Sequence, residues 1–164
     1  MLLSFVEVLP SWSEEVVASW ERMEILTPPE LAPGIADALK ELSQTCMLGI
    51  ISDTIVTPGW GLRQILMDYG LAQYFRVFIY SDEVGAAKPQ RRVFDEAAKR
   101  FNVPLEAMAH IGDREANDIA GPNPIGVKSI LYTGVIDRDS ANTKASAVCT
   151  HHNELPSIIA SFQS

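Results

Sequence analysis

Cysteine is nearly absent: only Cys46 and Cys149 occur in 164 residues. Each lies inside an apolar run, which predicts buried free thiols in a reducing compartment and excludes a disulfide framework. Basic residues are also few, 13 Lys and Arg against 21 Asp and Glu, for a formal charge of −8. A surface so short of positive charge excludes a nucleic-acid groove. The acidic residues are scattered, as on an ordinary solvated surface. No apolar run reaches membrane-spanning length, so no membrane partner is expected. The opening MLLSFVEVLPSW lacks the basic residues and small-residue cleavage site of a signal peptide, and a cytoplasmic protein follows by default.

What is present is an alternation of helical and strand-like stretches, with no repeat. SWSEEVVASWERMEIL carries Val16, Val17, Trp20 and Met23 at helical spacing, with Ser11 and Glu14 as a capping box. APGIADALKELSQT has Pro33 at its start and an apolar stripe of Ile35, Leu39 and Leu42. A third helix opens at Thr57-Pro58 and stops at Gly70. KPQRRVFDEAAKRFNV repeats Phe94, Ala97, Ala98 and Phe101 inward. Its wet side offers two pairs four residues apart, Asp95 with Lys99 and Glu96 with Arg100. Between the helices stand short strands, CMLGII, VFIY, MAHIG, SILY and AVCT, before a closing helix LPSIIASF. Strands apolar throughout, separated by amphipathic helices, predict a three-layer, Rossmann-like α/β fold with a mostly parallel sheet covered on both faces.

In such sheets ligands bind beyond the carboxyl ends of the strands. Three loops there hold polar residues: SDT at 52–54, SDEVGAAKP at 81–89 and GDREAND at 112–118. The Ser52 hydroxyl and nearby backbone N–H groups suit phosphoryl oxygens. Lys88 suits a phosphate or a carboxylate. Asp113 and Asp118 suit magnesium, a hard cation that favours carboxylates and keeps several waters. Taken singly, each residue has a plainer reading as a turn, a cap or a solvated charge. His110 reads as a packing or supporting residue, His151 and His152 as exposed in a polar turn. Trp12, Trp20 and Trp60 read as core or interface.

Together, from Leu31 to Gly134, these segments resemble the haloacid dehalogenase superfamily of phosphohydrolases. LAPGIADALKELSQTCMLGIISDT is similar to the helix, strand and Ser/Thr of that family's second motif. FIYSDEVGAAKPQRRVFDEAAKRFNV resembles its third, with Lys88 as the motif lysine, and HIGDREANDIAG its fourth, with Asp113 and Asp118 as the acidic pair. The resemblance implies a magnesium-dependent phosphatase acting on a small phosphorylated metabolite. A nucleophilic aspartate on the first strand forms an aspartyl-phosphate, and a second aspartate two residues later moves the proton. On that scheme Ser52, Asp53 and Lys88 face the phosphate, with Ser52 and Lys88 as the catalytic contacts, and Asp113 and Asp118 hold the metal. Asp53 stands where relatives commonly have Asn, and Pro122 and Pro124 break a stretch that relatives continue as helix.

The first motif, Asp-x-Asp, is missing. Before Ser52 the only aspartate is Asp37, inside a helix. Residues 1–30 are therefore expected to be either a degenerate first strand plus helix, or the remnant of a helical cap cut short, ahead of a core at 31–164. In the first case Glu7 takes the nucleophile's position, Leu9 that of the proton-transfer group and Ser11 that of the Ser/Thr. Three functions stay open: an impaired phosphatase, a non-catalytic binding or structural relative, or a fragment completed by strand exchange or a partner chain, a homodimer included.

Overall fold

The structure is a computed structural model and describes residues 10–138 and 140–163, so Glu7 and Leu9 lie outside it. The described chain is α/β. Its helices are α1 (Pro10–Leu26), α2 (Ile35–Leu42), α3 (Gly59–Asp68), a one-turn α4 (Ser81–Val84), α5 (Arg91–Phe101) and α6 (Leu155–Phe162). Its strands are β1 (Leu48–Ser52), β2 (Phe75–Tyr80), β3 (Ala109–Gly112), β4 (Lys128–Tyr132) and β5 (Ala147–Cys149). All strand pairs are parallel, but they form two sheets: β1 with β2, and β3–β4–β5 in that order.

Each element ends where local chemistry requires it. Gly70, at φ 67°, takes the left-handed conformation after α3. Its N–H donates to the Met67 carbonyl, and the Leu71 N–H reaches back to Leu66 at 2.8 Å, closing the helix. Asn102 does the same after α5 at φ 57°. Of the two ion pairs expected on α5, Glu96–Arg100 forms at 2.8 Å, whereas Asp95 turns to Arg91 at 3.2 Å instead of Lys99. After β3 the chain winds into a wide π-helical turn, Glu115–Ile119, and Pro122 then opens a short 3-10 turn, Asn123–Ile125. The break expected at the two prolines is present.

The core is divided as the sheet is. Val77, Ile79, Val93, Phe94 and Ala97 pack between the first sheet and α5, while Leu42, Ile130, Cys149 and Leu155 form a second cluster with α2 and α6. β2 and β4 are buried as expected: Ile79 is 0% exposed and Ile130 1%. β1 and β3 are not. Met47 before β1 is 45% exposed, and Ile111 in β3 is 36% exposed. The expectation of strands buried along their whole length fails at β1 and β3, each an edge of its sheet among the described residues. Helix α1 keeps Val16, Val17, Trp20 and Met23 on its surface, and Trp60 is half exposed as well, so Trp20 and Trp60 are not core residues. Of the cysteines, Cys149 is buried and Cys46 partly so, both as free thiols. No described helix is long and apolar enough to cross a membrane.

Candidate active site

The carboxyl ends of β1, β2 and β3 feed the three loops singled out above, and hydrogen bonds tie those loops into one rim. Asp53, after β1, accepts the Lys88 backbone N–H at 2.8 Å with Oδ1 and the Asn117 side-chain amide at 3.2 Å with Oδ2. The Lys88 ammonium reaches Asp118 Oδ1 at 2.7 Å, and His110 Nε2 meets the same oxygen at 3.0 Å. Asp118 Oδ2 accepts the Arg114 backbone N–H at 3.0 Å. A second lacing joins the first two loops. The Thr54 N–H donates to Ser81 Oγ at 2.8 Å, and the Gly59 N–H to Asp82 at 3.0 Å.

The lysine and its partner are largely withdrawn from water, with side chains 12% and 3% exposed. Gly112 makes that burial feasible: a Cβ there would run into the Asp118 carboxyl carbon. Burial pushes the Asp118 carboxyl up. The hydrogen bonds and charges of His110 and Lys88 outweigh it and bring the pKa to about 2.

A pH dependence follows. The folded-state value lies below the ordinary 3.8, so the unfolded chain binds this proton first. The stability from this group is complete above the ordinary value and drains away as pH falls toward 2. The Asp118-dependent part is expected to amount to something on the order of 2 kcal/mol. Urea unfolding of the parent and of Asp118→Asn, compared at pH 5 and pH 2.5, measures it. Equal acid sensitivity in the two proteins would contradict it.

Lys88, Asp53 and Asp118 are brought together, and Ser52 enters the same rim as the last residue of β1. No described residue partners its hydroxyl. Asp113 is half exposed, 3.4 Å from the Arg138 guanidinium. Asp53 is an acceptor with both oxygens engaged and so is a tether between loops. Asp118 also has both oxygens engaged, by Lys88, His110 and Arg114, and so positions the lysine. Of the rim carboxylates among the described residues, Asp113 is the most open to a cation. Among the described residues no group of three His, Cys, Asp or Glu side chains could hold a metal. The fit to magnesium is therefore one open carboxylate, short of a full ligand set.

Sequence reasoning left Asn117 unassigned although it sits inside GDREAND. An amide one residue before the motif acid was the available signal. His110 is the supporting residue it was expected to be, and its ring also meets Phe94 edge-on at 5.4 Å. His152, expected in solvent, is 7% exposed. It stacks on Tyr132 at 4.1 Å, with Nδ1 3.2 Å from the Pro33 carbonyl, because the turn after β5 folds back over the start of α2.

Comparison with known proteins places this rim in context. A family model described as haloacid dehalogenase-like hydrolase matches residues 13–126. The glyceraldehyde 3-phosphate phosphatase of Methanopyrus kandleri is 29% identical over 99 residues, covering 60% of this chain and 41% of that protein. The pyrimidine 5'-nucleotidase YjjG of Escherichia coli is 30% identical over 139 residues, covering 84% of this chain and 52% of that protein. The crystal structure of a HAD phosphatase from Thermococcus onnurineus superposes with a TM-score of 0.72 at 24% identity. It covers 96% of this chain and 67% of its own, a likeness of fold. The chain thus spans about half the length of the curated relatives it matches. By the family match over most of its length, and by a parallel α/β fold with the motif residues on one rim, the chain belongs to the haloacid dehalogenase-like hydrolases.

Proposed function

We propose that the chain carries the phosphate-facing half of a phosphohydrolase site, acting on a small phosphorylated metabolite with magnesium. The observation that carries this reading is the chain of contacts Asn117–Asp53–Lys88–Asp118, which draws three loops distant in sequence to one rim. Two relatives named for hydrolysis of phosphate monoesters support it.

In this reading Ser52 donates its hydroxyl proton to a phosphoryl oxygen. Lys88, locked by Asp118, sets a fixed positive charge against the phosphate without reorganising when the reaction begins. Asp113 would help hold magnesium, which would offset the charge on the phosphoryl group. The attacking carboxylate of the family scheme has no counterpart among the described residues. Glu7 and Leu9 lie outside them, and Ser11 falls within α1.

Magnesium-dependent release of phosphate from p-nitrophenyl phosphate by the full chain tests the reading. Lys88→Ala is expected to lower it about a hundredfold, as loss of one preorganised donor commonly does. That no three-residue metal cluster forms among the described residues favours a second reading, a relative that binds without turnover. Calorimetric binding of inorganic phosphate, weakened by Lys88→Ala and unaccompanied by release, would decide for it. Neither release nor binding would defeat both.

A further inference from the structure

His152 is buried, at 7% exposure, and takes no part in the rim. Its Nδ1 lies 3.2 Å from the Pro33 carbonyl oxygen, which can only accept, so Nδ1 carries the proton of the neutral ring. The ring stacks on Tyr132 of β4 at 4.1 Å. A Cβ on Gly34, the residue before α2, would lie 3.9 Å from the Cβ of His152. One imidazole therefore joins β4, the turn after β5 and the start of α2.

That junction suits a neutral ring. α2 and α6 both begin beside it, Ile35 just after Pro33 and Leu155 just after the His152 turn, and helix starts carry positive partial charge. The ionisable groups around it offer an imidazolium little in return. α6 has none. Glu30, Asp37, Lys40 and Glu41, along and just before α2, are all exposed. On its own turn His151 is exposed, and the Glu154 carboxylate accepts the Thr150 N–H at 3.0 Å and the Thr150 hydroxyl at 2.7 Å. Burial raises the Tyr132 hydroxyl of β4 and the Cys149 thiol of β5 above their ordinary values, so both are uncharged. Lys128, the other ionisable group of β4, is exposed at the far end of that strand. Burial pulls the His152 ring below the ordinary 6.5, against the smaller upward pull of the Pro33 carbonyl.

We propose that His152 is an acid-sensitive latch: neutral, it holds the turn after β5 against the start of α2, and protonated, it releases that turn and loosens α2 from α6. Well above pH 6.5 the ring is neutral whether held or released. As the pH falls below 6.5 the released ring takes up its proton first, so the contact loses stability with increasing acidity. α2 carries the change onward. Leu42 at its end packs with Ile130, Cys149 and Leu155, and the chain then runs into β1 and Ser52. The latch operates whether or not the rim turns over phosphate.

The test is amide hydrogen exchange of the full chain at pH 7.5 and pH 5, each rate divided by the intrinsic rate at that pH. Protection across 33–42 and 150–158 is expected to fall about fivefold or more at the lower pH, while β2 and α5 keep theirs. His152→Asn places an amide N–H where the Nδ1–H stood and cannot titrate, so protection of those segments should no longer depend on pH. His152→Phe keeps the stacking, loses the bond to Pro33 and should be loose at both pH values. Parent protection unchanged between the two pH values would overturn the proposal, as would an equal fall in His152→Asn. An equal loss across β2 and α5 would overturn it too, because acid then acts on the whole fold.

Discussion

Asp118→Ala is expected to destabilise the protein by about 3–5 kcal/mol, the usual result of removing one partner from a buried ion pair. Lys88 and His110, 12% and 11% exposed at their side chains, both bond the carboxylate oxygen that the substitution deletes. The Arg114 N–H loses its acceptor at the same time. For a chain of this length such a loss lowers the melting temperature by roughly 10 °C, measurable by calorimetry or circular dichroism. Asp118→Asn keeps an oxygen for Arg114 and should fall between the parent and Asp118→Ala. A loss below about 1 kcal/mol, the range of exposed pairs, would show that the lysine finds water at no disadvantage and that the rim is softer than its contacts indicate.

Phe94→Ala is expected to remove a comparable amount, about 3–5 kcal/mol, by opening a cavity in the core beside α5. Phe94 is 0% exposed and packs with Val77, Ile79 and Ala97. Its ring also meets His110 edge-on, and His110 in turn meets Asp118. Core and rim are therefore in contact through one histidine. The double substitution Phe94→Ala/Asp118→Ala should destabilise by less than the sum of the single ones, because both act on the same imidazole. Strict additivity in urea unfolding would separate the core from the site.

Strand positions, helix faces and the three rim loops were legible from apolar periodicity and from the places where Gly, Pro and Asn interrupt it. Lys88 and Asp118 were legible as residues of one rim, but their direct pairing was not. The roles of Asp53 and Asn117 were not, because a carboxylate and an amide 64 residues apart show no pattern until the loops meet. The burial of His152 was hidden for the same reason: HHNE reads as a polar turn, and only the packing of the last strand against the start of α2 covers it. The partial exposure of β1 and β3 was also hidden. CMLGII and MAHIG carry the apolar signature of central strands, and that signature records the neighbours a strand is suited to, whether or not the described chain provides them.

The strand edges left open among the described residues also bear on how the protein behaves at high concentration. Open ladders are the usual template for chain-to-chain association, and natural sheets commonly guard them with charge. Here β1 and β3 carry no Asp, Glu, Lys or Arg, so the guard is the net −8 of the whole molecule acting at a distance. As acidity approaches the isoelectric value near 4.8, mutual repulsion fades while the edges stay as they are. Solubility should therefore pass through a deeper minimum there than for a domain of equal charge with a closed sheet.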